Sequence, residues 1–503
     1  MLKMYFIGVD CGTNSLRAGL YDQNGNEISF AVRSYDTRFP HPGWAEQDPS
    51  DWWEALRGAV RQTVETSHVN NKKIKGITID GTSCTVVLSD EHGEPLCPAL
   101  LWMDVRAGKE AQEVTKYGHK YNGGGPVSAE WMVPKMMWVK KNWPEVYNRA
   151  GRVMECADWL TYKLTGRWTA SLNQATCRWY YDSTSRDGWP LDLYVEFGLA
   201  DLLNKFPQSV LAMGDEVEVI DTDIAHELGL SSDMVVVQGG ADAYVASIGL
   251  NALSSKRMAF ITGSSHLHIL ESEKEIHSSG LFGSFPNAVI SGHQLLEGGQ
   301  ISTGSILKWF VTQFLNVEKD QVDRLFKDFD QQIENISPGS EGLLVVEHWQ
   351  GSRTPYPDAN ARGLVYGLSL SHTPLHVYRA IMEGVAYGTA TVIKEFEKVG
   401  VTIKDMVVGG GLVNSKPWLE IHASVANRQI LIPKVKQAAC LGSAILAATG
   451  SHYYSTIQEA ATEMVDYIEY VDPIQAHAEV YAGKIKEYET LIERIREWRQ
   501  DNA

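Results

Sequence analysis

The chain is poor in the features that staple small domains or carry a protein into a membrane. Its 503 residues include only six cysteines, Cys11, Cys84, Cys97, Cys156, Cys177 and Cys440, and no C-x-x-C pair. That scatter argues against a disulfide framework or a cysteine zinc site and leaves reduced thiols as the expectation. No apolar run reaches the roughly 18 residues of a membrane span. No basic segment followed by an apolar stretch opens the chain, so we expect no signal peptide and a cytoplasmic setting. Basic charge is scarce too: 45 Lys and Arg face 62 Asp and Glu, a formal net charge of -17. Nucleic acids and anionic membranes need a basic field, so neither is expected as a partner. There is no G-x-x-x-x-G-K-[ST] segment, and Gly409-Gly410-Gly411 lacks the G-x-G-x-x-G spacing, which removes the P-loop and dinucleotide classes.

What is present is an α/β pattern too long for one core. "FIGVDCGTNSLRAGLYDQNG" (6–25) reads as strand, polar turn, strand, with "DQNGN" as hairpin chemistry. Residues 48–67 carry an Asp cap and helical apolar spacing. Helices are also expected at 130–141, 157–164, 303–314 and 375–398, in the small-residue run "AACLGSAILAATG", and in a charged tail from Val471. "RMAFITGSSHLHILES" repeats the opening pattern, with Phe260 to Gly263 standing where Val9 to Gly12 stand. Self-similarity at half-chain distance suggests two related domains around a cleft.

Three turns suit phosphate or a flat ring. They are Gly12-Thr13-Asn14-Ser15, Thr262-Gly263-Ser264-Ser265, and Gly409-Gly410-Gly411 ahead of a helix. Chemistry at phosphate then needs a base and a carboxylate on the metal side, and Asp10 and Asp242 are the candidates. Each has a plainer alternative: Asp10 as a turn residue, Asp242 as a helix N-cap.

The segments "GVDCGTNSLRAGLYDQNGN", "GITIDGTSCTVVLSDEHGEPLCPALLWMDVRA", "QGGADAYVASIGL", "ITGSS", "EGGQISTGSILKWF", "RGLVYGLSLSHTPLHVYRAIMEGVAYG" and "VVGGGLVNSKPWLEIHASVANRQILIP" occur in order over residues 5–450. Together they resemble the FGGY family of carbohydrate kinases. The resemblance implies two actin-like, hexokinase-like (ribonuclease H-like) ATPase domains around a central cleft. Residues 1–253 would bind sugar and carry the base, and 254–503 would bind nucleotide and end in a helical tail. It implies transfer of the ATP γ-phosphoryl to a sugar or polyol hydroxyl with Mg²⁺. By motif, Asp242 is the general base and Asp10 sits on the metal, with Asp242 beside it. Gly12, Thr13, Asn14 and Arg17, with Thr262, Gly263 and Ser264, flank the phosphates; Gly410, Gly411 and Asn414 border the adenine. A solvated strand-end Arg is the plainer reading of Arg17.

Residues 124–181 resemble the ribulokinase branch, which would place Trp131, Arg178, Asp242 and Glu297 around the sugar. Xylulose kinases typically carry Gln-Met-His-Gly where this chain has Asp80-Gly81-Thr82-Ser83, and the Arg-Glu pair usual in glycerol kinases is absent as well. A ribulokinase usually has Lys at the place of Arg178, and the two are not interchangeable at a site of fixed geometry. Another pentulose, or a polyol such as erythritol or glycerol, therefore stays open, as does a homodimer. From another class, a non-catalytic nucleotide- or sugar-binding relative remains the rival; it would have no need of Asp10 and Asp242. Trp131 has a plainer reading as a core aromatic, Glu297 as a strand-end carboxylate, Asp104 and Arg106 as a structural ion pair, and His266 as a space-filler.

Overall fold

The computed structural model describes residues 3–117 and 126–501. Gly124 and Gly125, at the start of the stretch that bears on sugar preference, lie outside the described residues. The first half is built on six strands: β1 Tyr5–Cys11, β2 Ser15–Asp22, β3 Glu27–Ser34, β4 Ile74–Gly81, β5 Glu216–Val219 and β6 Val235–Val237. Their order is β5-β6-β4-β1-β2-β3. The β1–β2–β3 meander is antiparallel, whereas β4 runs parallel to β1 and β6 parallel to β4. β1 is almost wholly buried, because it lies between two neighbours with elements over both faces. The turn into β3 forms as its residues dictate: the Asp22 carboxylate accepts the Asn24 and Asn26 N–H groups, and Gly25 takes φ +74°.

The second half repeats this plan. β7 Arg257–Thr262, β8 His266–Ser272, β9 Phe282–Pro286, β10 Gln294–Gln300, β11 Asp405–Gly410, β12 Gln429–Pro433 and β13 Tyr467–Val471 form a sheet of order β9-β10-β8-β7-β11-β12-β13. β7, β8 and β10 are antiparallel in turn; β11 runs parallel to β7, and β12 parallel to β11. Strand for strand, β10-β8-β7-β11-β12 matches β3-β2-β1-β4-β6, so the repeat seen in the sequence is a repeat of topology. Glu297 lies inside β10 rather than at its end.

The halves meet through the small-residue helix Ala438–Gly450, which packs on β1, β4 and the helix Asp242–Gly249. Its composition follows from that approach. A Cβ on Gly8 would fall 1.8 Å from the Cys440 carbonyl oxygen, and one on Gly442 would fall 2.0 Å from that of Val245. The expected helix at 303–314 begins as Gly304–Trp309 and loosens to a π turn over Phe310–Phe314. The tail is the helix Gln475–Asp501, docked on Pro374–Lys398 and Lys416–Ala426. Asp104 and Arg106 are fully buried and paired at 2.6 Å, with Glu46 as a second partner and Trp44 stacked on the guanidinium at 3.8 Å. They hold the first half together and do not line the cleft. No helix among the described residues is long and apolar enough to cross a membrane.

Candidate active site

The two hairpin turns open onto one cavity of about 340 Å³, lined from both halves by residues that include Thr13, Asp242, Thr262 to Ser264, and Glu297. The turns close alike: Gly12 N–H donates to the Ser15 carbonyl at 3.1 Å, Gly263 N–H to that of Ser265 at 2.9 Å. Such turns leave backbone N–H groups facing outward, as anions require. Asn14 and Ser264 are exposed at the tips. Thr13 Oγ1 accepts from Trp102 Nε1 at 3.0 Å. Thr262 is committed elsewhere: its hydroxyl donates to the Gly409 carbonyl at 2.7 Å and accepts the Leu412 N–H at 3.1 Å, tying the second turn to the glycine turn. Gly410 has φ +93°, a Cβ on Gly411 would meet open space, and exposed Asn414 donates to the Gly411 carbonyl at 3.2 Å. These three lie along the edge of the cleft rather than in the cavity wall.

The first sheet ends in carboxylates. Asp10 and Asp80 are register partners across β1 and β4, and both are buried. Arg17 is no free surface residue: its Nη1 pairs with Asp10 Oδ2 at 2.7 Å. Burial still outweighs that pairing and holds the Asp10 carboxyl above the usual range. Asp80 is pushed up further, by burial and then by the Asp10 charge. Ser443 Oγ, on the small-residue helix, donates to Asp80 Oδ2 at 2.7 Å, while Oδ1 has no partner. Asp242 is not an N-cap. Ala241 holds that position, and Asp242 is the first residue of the helix, with Oδ1 accepting the Ala243 N–H at 2.7 Å. Burial, then Asp10, raises its pKa to about 7, the poise of a base that works near neutrality.

These groups test the fit of a cation. Asp10, Asp80 and Asp242 outnumber the single guanidinium of Arg17, and one Asp80 oxygen is orphaned. Among the described residues no three His, Cys, Asp or Glu side chains converge to ligate a metal by themselves. Excess negative charge without a closed protein cage suits a divalent ion that keeps water and phosphate ligands.

In the wall of the same cavity, Glu297 Oε2 accepts from Tyr244 OH at 2.5 Å and from Arg178 Nη2 at 3.0 Å. Burial would raise the Glu297 pKa, but the charges of Arg178 and Arg353, with the Tyr244 hydrogen bond, hold it down. Trp131 caps the helix Met132–Asn142, buried, with the Arg178 guanidinium 5.5 Å from its ring centre. It supports Arg178 from behind rather than walling the cavity. His266 edges the cavity but packs into Phe260, Trp418 and His422 as filler. Cys11 points away from the cleft, its Sγ 3.4 Å from both Tyr35 OH and Cys156 Sγ.

The sequence reading missed Asp80, Tyr244 and Arg353. The signal for Asp80 was present: "GITID" ends an apolar strand in a carboxylate as "FIGVD" does. Tyr244 sits two residues after Asp242 in "QGGADAYVASIGL", but its bond to Glu297 spans 53 residues, and Arg353 reaches the site from a place that no local pattern connects.

A duplicated ribonuclease H-like, actin-like ATPase fold, with phosphate-type turns and carboxylates on one cleft, defines a phosphotransferase. The chain belongs to the FGGY family of carbohydrate kinases: the family's N-terminal domain matches residues 5–249 and its C-terminal domain 258–451. A ribulokinase of Shouchella clausii is 30% identical, over 97% of this chain and 95% of its own. A xylulose kinase of Staphylococcus epidermidis is 27% identical, over 100% and 99%. Among solved structures, a xylulose kinase from Rhodospirillum rubrum superposes with a TM-score of 0.86 at 23% identity, covering 98% of this chain and 99% of that one. Kinases of this family act on sugars with ATP and a divalent metal.

Proposed function

We propose that this kinase phosphorylates a ketopentose of the ribulose type, with Asp242 as general base and Mg²⁺ as the metal. The observation that carries the reading is Asp242. It is a carboxylate with a pKa raised to about 7, at the head of a helix and facing a cavity that both phosphate turns also line. The 30% identity to ribulokinase over nearly the full length supports the substrate class. Residues 1–253 supply the base and most of the sugar site, with Glu297 reaching in from 254–503, which hold the nucleotide, and the setting is cytoplasmic.

Arg178, Glu297 and Tyr244 fix the sugar hydroxyls. Asp242 accepts the proton of the attacking hydroxyl as the hydroxyl oxygen bonds to the γ-phosphorus and the bond from that phosphorus to the β–γ bridging oxygen breaks, releasing ADP. Thr13, Asn14 and Ser264 receive the phosphate oxygens through backbone N–H groups; Gly12 and Gly263, whose own N–H groups close the turns, let the phosphates approach closely, while Arg17 and Thr262 brace those turns. Gly410, Gly411 and Asn414 border the adenine. Asp10 and Asp80, with Asp242 next to them, would hold a magnesium ion, which would supply charge neutralisation on the phosphates; with positioning, that is most of what phosphoryl transfer requires.

Arg178 in the place of the usual Lys favours a second reading, a different pentulose or a four-carbon polyol. An ADP-release screen over ketopentoses, aldopentoses, tetritols and glycerol decides between them, with a ketopentose expected to give the highest kcat/KM. Asp242→Ala is expected to keep ATP binding and to lose roughly 10²–10⁴-fold in turnover. Near-normal turnover in that variant would sink the assignment of the base.

A further inference from the structure

The loop 350–363 brings Arg353 into the cavity from the second half. Its Nη1 stands 3.7 Å from Glu297 Oε1, beyond hydrogen-bond distance, and its side chain is 37% exposed. Arg178 already makes three hydrogen bonds, to the Tyr244 hydroxyl, Glu297 and the Cys177 carbonyl, and so has fewer donors left for a ligand. Arg353 makes no side-chain hydrogen bond among the described residues, although a guanidinium carries five N–H donors. It is thus the uncommitted donor set at the sugar end of the cleft. The cavity wall sets Arg178 and Arg353 against Glu130, Glu297 and the base Asp242, with no excess of positive charge to call for an anion, which suits a neutral polyhydroxyl ligand.

The position of Arg353 is built rather than incidental. Thr354 Oγ1 accepts the Gly299 N–H at 3.1 Å, and Thr354 N–H donates to the Gly299 carbonyl at 3.3 Å, two residues past Glu297. Ser352 and Asp358 exchange backbone hydrogen bonds at 2.9 Å. The Asp358 carboxylate accepts Arg499 Nη1 at 2.5 Å, and the Arg496 guanidinium lies 3.9 Å from the Tyr356 ring centre. Arg496 and Arg499 belong to the C-terminal helix. That helix is fixed in turn by Tyr488 OH, which donates to Glu347 Oε2 at 2.5 Å just before the loop.

We propose that Arg353 donates hydrogen bonds to oxygens of the bound sugar, and that the C-terminal helix acts as a brace that positions it through Arg499 and Asp358. The proposal rests on the reading of the site as a sugar kinase. The test is steady-state kinetics of the full chain with the best ketopentose of the screen. R353M is expected to raise the sugar KM about tenfold to a hundredfold, as loss of a charged donor does. ATP KM and melting temperature stay unchanged, because no hydrogen bond of the fold is lost. R353K is expected to recover part of the loss, and keeps the test open if R353M folds poorly. R499Q is expected to raise the sugar KM about threefold, and R353M/R499Q to match R353M alone, since the second residue acts through the first. A sugar KM within twofold of wild type in R353M, or an equal rise in ATP KM, overturns the contact. Additive losses in the double variant overturn the brace. A wild-type enzyme that turns over no sugar or polyol overturns the functional reading instead, so the two failures are distinct.

Discussion

The two halves share a strand order and a turn, yet the same register position carries opposite chemistry. In the first half Asp10 faces Asp80 across parallel strands; in the second, Ile261 faces Gly409. One half ends its sheet in negative charge, the other in an apolar residue and a glycine. Charge suits the metal and the moving proton, while bare backbone suits close approach of phosphate and a ring. A duplicated fold can therefore divide a bimolecular reaction at this register position, with carboxylates on one wall and bare backbone on the other.

The sharpest way to break this division is to neutralise one carboxylate without changing its shape. Asp10→Asn is expected to cut turnover by about 10²-fold or more and to raise the Mg²⁺ concentration for half-maximal rate, since a metal-side charge is worth several kcal/mol in the transition state. The same-position control, Ile261→Val, is expected to stay within about twofold, because a conservative apolar swap costs little. Coupled assays across a magnesium titration measure both. Equal losses in the two variants would mean that the halves are not divided.

Much of this was legible in one dimension. Strand–turn–strand at Phe6 and again at Met258 gave the duplication away, since alternation and turn residues are local properties. Asp10 stood out because a carboxylate ending an apolar strand has no structural need to be charged. Asp80 has the same signature, but it sits in a turn that also distinguishes one sugar kinase from another, and that contrast drew the eye from its charge. Arg178, Glu297 and Tyr244 converge from 119 and 53 residues apart, which only tertiary structure can state. Cys11 and Cys156 meet across 145 residues for the same reason.

A milder test uses glycine. Gly81 and Gly410 are also equivalent, opposite Cys11 and Thr262 respectively. A Cβ on Gly81 would make ordinary contacts at 3.5 Å, whereas one on Gly410 would fall 1.9 Å from the Thr262 carbonyl oxygen at φ +93°. Gly410→Ala is therefore expected to cost about 1–3 kcal/mol of stability and to raise the ATP KM. Gly81→Ala is expected to be nearly neutral. Thermal melts with and without ATP separate the two effects, and identical melts for both variants would remove the argument that the second wall depends on backbone shape.

The smallest effect concerns a carboxyl of the second half, that of Glu271, which among the described residues has only His293 Nδ1, 4.0 Å from its Oε2, as an ionic neighbour. Glu271 is buried, neither oxygen is hydrogen-bonded, and burial pushes its pKa to about 8. A carboxyl that holds its proton more tightly when folded stabilises the fold fully below its unfolded pKa of about 4.5, and that stability is lost as pH rises toward about 8. Glu271→Gln copies the protonated form and removes the dependence. The variant is expected to match wild type near pH 4.5 and to exceed it by roughly 1–2 kcal/mol at pH 8.5, read as a difference in urea midpoints at the two pH values. The carboxylates of the first wall would behave otherwise, because a bound divalent cation would offset their charge. A midpoint difference that does not grow with pH would show that Glu271 is already compensated.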